Sequence, residues 1–144
     1  MSQRHGAILL LSVMVAACET PRAVDASEDL KAWQGTWKVV SATYDGEPQT
    51  GDLLWIVQGD QYRTRYQQHL DEVPIKITLD ASRKHVDAFH HETPQGTSGG
   101  KLKGIYKVSA DSLTVCYDLT DRQYPTSFEA TRGSRRVLYQ LRRQ

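Results

Sequence analysis

Asparagine is absent from this 144-residue chain, cysteine occurs twice, and neither sign of charge is in excess, with 18 Lys plus Arg against 17 Asp plus Glu. The balance excludes a global field that would draw in a nucleic acid or an acidic surface. The length excludes a multi-domain enzyme and leaves one small domain. A chain of this size buries roughly two-thirds of its unfolded surface, enough for a core without disulfide staples. No apolar run is long enough to span a bilayer: the longest, Ala7 to Ala17, is broken only by Ser12. Internal repeats and low-complexity tracts are also missing.

What is present begins with that short run. Met1 to Gly6 is polar and carries Arg4, so residues 1–17 read as the n-region and h-region of a secretory signal. The run ends Val15-Ala16-Ala17-Cys18, which resembles a bacterial lipobox. Small residues there admit the backbone to the peptidase, and the Cys18 thiol is the nucleophile that takes the lipid. A diacylated Cys18 would be the new N-terminus and would hold the domain at a membrane face, because two acyl chains anchor where one does so only marginally. The expected destination is the cell envelope, on the periplasmic side or at the outer membrane. Removing residues 1–17 takes Arg4 with it and leaves 127 residues with 17 basic and 17 acidic side chains. Residues 18–26, with Pro21 and no apolar pattern, read as the lipidated Cys and a flexible tether, followed by a domain over 27–144. Lipidation would leave Cys116 without a disulfide partner, as a small apolar strand residue.

Asp25 and Glu28 have capping-box spacing, and Leu30 with Trp33 share one face of a short helix ending before Gly35. From Gly35 the period becomes that of strands. Thr36 to Tyr44 is β-rich and stops at the hairpin signal Asp45-Gly46, and Leu53 to Val57 is a continuous apolar run. Tyr62, Thr64 and Tyr66 alternate with Arg63 and Arg65, and Val73, Ile75, Ile77 and Leu79 alternate with Pro74, Lys76, Thr78 and Asp80. Pro74 predicts that this strand begins there or lies at an edge. Further strands are predicted over 85–90, 101–108 with Tyr106 facing inward, 112–119 with Val115 and Tyr117 facing inward, around Phe128 and Ala130, and over 135–142 with Val137, Tyr139 and Leu141 on the core face. Residues 93–100 read as the only long loop. About eight or nine antiparallel strands without crossover helices predict an all-β up-and-down barrel with a short N-terminal helix, or a sandwich.

Gly35-Thr36-Trp37 after a short helix resembles the GxW signature of lipocalin-like barrels. LKAWQGTWKVVSATY at 30–44, GDQY at 59–62, KGIYKVSADSLTVCYD at 103–118, YPTSF at 124–128 and VLYQLRR at 137–143 resemble, in that order, the uncharacterised lipocalin-like domain family expanded in planctomycete bacteria. The resemblance implies a calycin-type barrel on a secreted or lipoprotein chain and carries no assigned activity. It further implies that Trp37 closes one barrel end under a basic side chain of the last strand, Arg142 or Arg143, with Arg142 the nominal partner. Gly35, Trp37 and Arg142 are then structural residues.

Three chemical patterns were weighed against plainer readings. Gly96-Thr97-Ser98-Gly99-Gly100 is similar to the nucleophile segment of trypsin-like proteases, but the two barrels and His motif that segment needs are missing. It also fails as a phosphate loop, since Leu102 follows Lys101 where Ser or Thr is required. His85, Asp87 and His91 fall on one strand face at a spacing that suits a divalent metal, zinc first, against the plainer reading of an exposed face; no metal and no other cofactor is expected. The arginines crowding residues 132–143 read as a solvated face rather than a surface for anionic head groups, and aromatics interleaved with base-reading groups are not evident, so nucleic-acid binding is not expected.

No complete catalytic constellation stands in the sequence, which argues against an enzyme. Two non-catalytic classes are left. One is a membrane-anchored carrier whose inward residues, Tyr62, Tyr66, Ile75, Ile77, Tyr106, Val115 and Tyr117, with Val73, line a cavity for a small apolar or amphipathic molecule. The other is an envelope scaffold with a filled barrel that meets an unidentified protein partner through its loops. A void behind the inward face separates them.

Overall fold

The computed structural model describes residues 26–90 and 100–144. Residues 1–17, whose sequence reads as a signal, and Cys18, Asp25 and His91 lie outside the described residues. The element order is α1 (Ala26–Trp33), β1 (Gly35–Tyr44), β2 (Glu47–Gln49), β3 (Leu53–Gln58), β4 (Gln61–Tyr66), β5 (His69–Leu70), β6 (Ile75–Asp80), β7 (His85–His90), β8 (Gly100–Val108), β9 (Ser112–Asp118) and β10 (Arg136–Arg143).

Each long strand carries apolar residues at every second position, so one face of each can be buried only if the sheet curls on itself. It does so. The order β1, β3, β4, β6, β7, β8, β9, β10 is antiparallel throughout, and β10 returns to pair with β1, closing an eight-stranded up-and-down barrel. The short strands β2 and β5 are additions on β1 and β4. Pro74 stands immediately before β6, where its missing donor costs no ladder bond.

Two loop expectations are corrected. The segment around Phe128 and Ala130 is not a strand, because β9 and β10 already pair with each other and offer it no edge. Residues 119–135 instead form a long loop that crosses the outside of the barrel. Cys116 is fully buried on that outer side, a free thiol with Sγ 3.7 Å from the Glu129 carbonyl, and burial pushes its pKa up.

The helix plugs one end. Its last four carbonyls would be orphans, and each finds a donor: Gln34 Nε2 to Leu30, Gln34 N to Lys31, Arg143 Nη2 to Ala32 and Trp37 Nε1 to Trp33. Trp33 and Trp37 are fully buried. Each indole removes about 150–250 Å² from water, an upper bound of roughly 4–6 kcal/mol. The guanidinium of Arg143 lies 4.2 Å from the Trp37 ring centroid and also donates to the Gln34 and Ala110 carbonyls, at 2.6 and 2.7 Å. Gly35 has φ of +114°, and a Cβ there would come within 2.8 Å of Arg143 Nη1, so conformation and space both require glycine.

The partner of Trp37 is thus Arg143 and not Arg142. Arg143 pairs with Trp37 across β1 and β10 and shares its face, while Arg142 is exposed on the other side. The alternation of Val137, Tyr139 and Leu141, carried two residues further, selects Arg143 by parity.

Candidate functional site: the open half of the barrel

The interior is filled only halfway. From the helix upward it is packed by Trp37, Val57, Val86, Tyr106, Leu113 and Leu141, all buried. Above them lies a cavity of about 580 Å³, within the range of small-molecule sites. Its floor is Tyr62 and Tyr117, whose hydroxyls lie 3.3 Å apart. Trp55 stacks on Tyr62 at 4.4 Å between centroids and meets the edge of Tyr139 at 5.0 Å. Leu53, Ile75, Leu102 and Val137 add apolar wall, and Thr64, Asp71 and His90 add polar groups.

Apart from Asp71 and His90, the cavity is lined by uncharged side chains and is rich in hydroxyls. Burial raises the pKa of Tyr62, Tyr117 and Tyr139, so all three phenols keep their protons. Burial lowers the pKa of His90, opposed by the charge of Asp71. The site offers hydroxyl donors and aromatic faces, which suit a molecule with an apolar body and few polar atoms.

Of the residues expected to line a cavity, Tyr62, Ile75, Tyr117 and Val73 do. Ile77, Val115 and Tyr106 do not: they are buried in the packed core instead. Tyr106 points at the helix, where its hydroxyl donates to Asp29 and its ring meets the edge of Trp33 at 5.4 Å.

Tyr66 is also displaced, lying half-exposed in a separate cleft, where a Cβ on Gly51 would approach its ring to 2.6 Å. That cleft exists because β1 leaves β3 after Lys38. Val40 is an extra residue in β1, a bulge between the Val39–Leu141 and Ser41–Gln140 pairs. The cleft, about 530 Å³, shares Tyr44, Leu53, Val137 and Tyr139 with the cavity. These four side chains partition the two spaces.

Trp55 and Tyr44 are lining residues that alternation did not single out. Trp55 sits within an unbroken apolar run, where alternation cannot choose a face, and Tyr44 faces inward only because the Val40 bulge shifts the parity of β1. Alternation puts Val137 and Tyr139 on an inward face without giving a height along the barrel axis.

On the outer wall, His85 and Asp87 do share a strand face, yet both are engaged in other ways. The His85 ring stacks on Tyr124 at 3.8 Å, and Asp87 accepts a 2.6 Å hydrogen bond from the Tyr124 hydroxyl and pairs with Lys101 at 3.4 Å. The bond to Asp87 is the main reason the Tyr124 pKa rises to about 12. Among the described residues no group of three or more His, Cys, Asp or Glu is placed to hold a metal ion. This cluster clamps the 119–135 loop to the barrel.

No family model, no curated protein and no solved structure matches this chain.

Proposed function

We propose that this chain is a lipid-anchored envelope lipoprotein whose barrel binds a small apolar or amphipathic molecule without transforming it. The cavity carries the reading: about 580 Å³ bounded by Trp55, Tyr62, Tyr117 and Tyr139, where a purely structural barrel would have side chains. The Val15-Ala16-Ala17-Cys18 motif supports the anchor. Native mass spectrometry of the purified chain carrying Cys18→Ser tests the binding, since a discrete mass lost on denaturation identifies a carried molecule. Titration with the neutral probe N-phenyl-1-naphthylamine adds a positional readout. Trp55 borders the cavity while Trp33 and Trp37 are sealed in the other end, so the probe should quench the Trp55 contribution and leave a Trp55→Phe variant unquenched. Equal quenching in both proteins refutes the assignment. Cys18→Ser should also shift the protein from the membrane fraction to the soluble one.

A further inference from the structure

The two arginines that adjoin the cavity stand on one side of its mouth. On the other side stand Asp71 and His90. On the arginine side, Tyr44 and Leu119 belong both to the cavity wall and to an adjoining basin with Asp45, Thr120, Arg122 and Arg135. A second basin, reached past Thr120, is again bordered by Arg122 and Arg135. The two arginines therefore overlook the rim from the start of the 119–135 loop and from its last residue before β10.

Neither guanidinium is committed. The ion pairs among the described residues use Lys31, Lys76, Lys84, Lys101 and Arg132, and no described acceptor takes a bond from the Arg122 or Arg135 side chain. Two acids border these same basins, held by neutral donors rather than by a guanidinium: Asp45 Oδ1 accepts from the Arg135 backbone N–H at 2.9 Å, and the buried Asp118 accepts from the backbone N–H of Thr120 at 2.8 Å and from its hydroxyl. An apolar, hydroxyl-lined chamber thus opens beside two planar cations that no described carboxylate pairs, with Asp71 on the opposite rim. A molecule with an apolar body and one anionic end matches both halves, and its charge is directed to one side.

We propose that the carried molecule is an anionic amphiphile, its apolar part in the barrel and its acid group at Arg122 and Arg135. This rests on the binding reading above. The probes are dodecanoate and dodecanol, titrated below their aggregation limits against Trp55 emission of the Cys18→Ser chain. The test variant is Arg122→Gln with Arg135→Asn; asparagine tolerates the positive φ of +53° at Arg135. Both side chains are exposed, so the fold should persist, which an unchanged melting temperature checks. The variant should lose roughly tenfold in affinity for dodecanoate and keep its affinity for dodecanol. Raising the salt should weaken dodecanoate alone, and Arg122→Lys with Arg135→Lys should recover part of the loss. An unchanged dodecanoate affinity in the neutral variant overturns the headgroup site while leaving the carrier intact. Failure of both probes to quench the parent chain overturns the carrier reading itself.

Discussion

At one end of the barrel Trp33, Trp37 and Arg143 are packed until the two indoles expose no surface; at the other, Tyr44 and Tyr66 stand half-exposed around open space. The strands are the same and so is the alternation. The helical end has an element to close it and a cation that meets three backbone carbonyls. The open end has a bulge that draws β1 away from β3 and, among the described residues, no helix over it. Stability is concentrated where a second layer exists, and space is left where it does not. Substitutions should therefore separate into those that unfold and those that only alter binding.

The largest effect is expected from Trp37→Ala. It removes a fully buried indole and its 2.7 Å bond to the Trp33 carbonyl, and should cost about 3–5 kcal/mol in urea unfolding. An unchanged midpoint would break the contrast between the ends. Arg143→Met, which keeps the aliphatic stem over Trp37, should cost about 2–3 kcal/mol by leaving carbonyls unmet. The neighbouring Arg142→Met should stay within about 0.5 kcal/mol, since its side chain is exposed. Equal effects at 142 and 143 would mean that strand parity does not decide which arginine matters.

A smaller effect should appear as pH dependence at the helical end. Burial alone would raise the Asp29 carboxyl, but hydrogen bonds from Lys84 and Tyr106 and the Lys84 charge hold it below its ordinary value. A carboxyl lowered by folding adds stability above its unfolded pKa, about 3.9, which is lost as pH falls through the folded value. Burial and the bond to Asp29 raise the Tyr106 phenol. A phenol raised by folding adds stability below its unfolded pKa, about 10, which is lost as pH rises above it. Urea midpoints should therefore decline at both limits. Asp29→Asn should flatten the acid limb and reduce the alkaline one, and if both limbs persist unaltered, the Asp29–Tyr106 contact is not their source.

Much of the barrel was legible because alternation is a local signal. The inward faces of β6, β8 and β9 and the helix carrying Leu30 and Trp33 follow from spacing, whereas spacing left the closed barrel and a sandwich both open. Depth was not legible. Val115 and Tyr117 are two residues apart on one face of β9, yet the first is core and the second is cavity floor, because height in a barrel is set by stagger between strands far apart in sequence. The same limit misplaced Tyr66 and Ile77. The bulge at Val40 left no composition signal, since Val39-Val40 reads as ordinary strand. His85 and Asp87 illustrate a different loss: spacing placed them together, but Tyr124, 37 residues beyond Asp87, decides what they do.

A small change in stability, with the sharpest test of the contrast, is expected at Tyr44. The residue is 51% exposed, so truncation removes little buried area and Tyr44→Ala should alter unfolding by no more than about 1 kcal/mol. Yet Tyr44 borders the cavity, the lateral cleft and the arginine basin at once. Removing it merges these spaces and wets the cavity wall, so binding of N-phenyl-1-naphthylamine should weaken severalfold, through lost contact area and a faster off-rate. At the helical end the order is inverted, because Trp37→Ala affects the probe only by unfolding the protein. Stopped-flow quenching of Trp55 at a temperature where both variants are folded separates the two cases. If Trp37→Ala changes probe dissociation as much as Tyr44→Ala does, the packed core and the cavity behave as one unit and the division between the two ends does not hold.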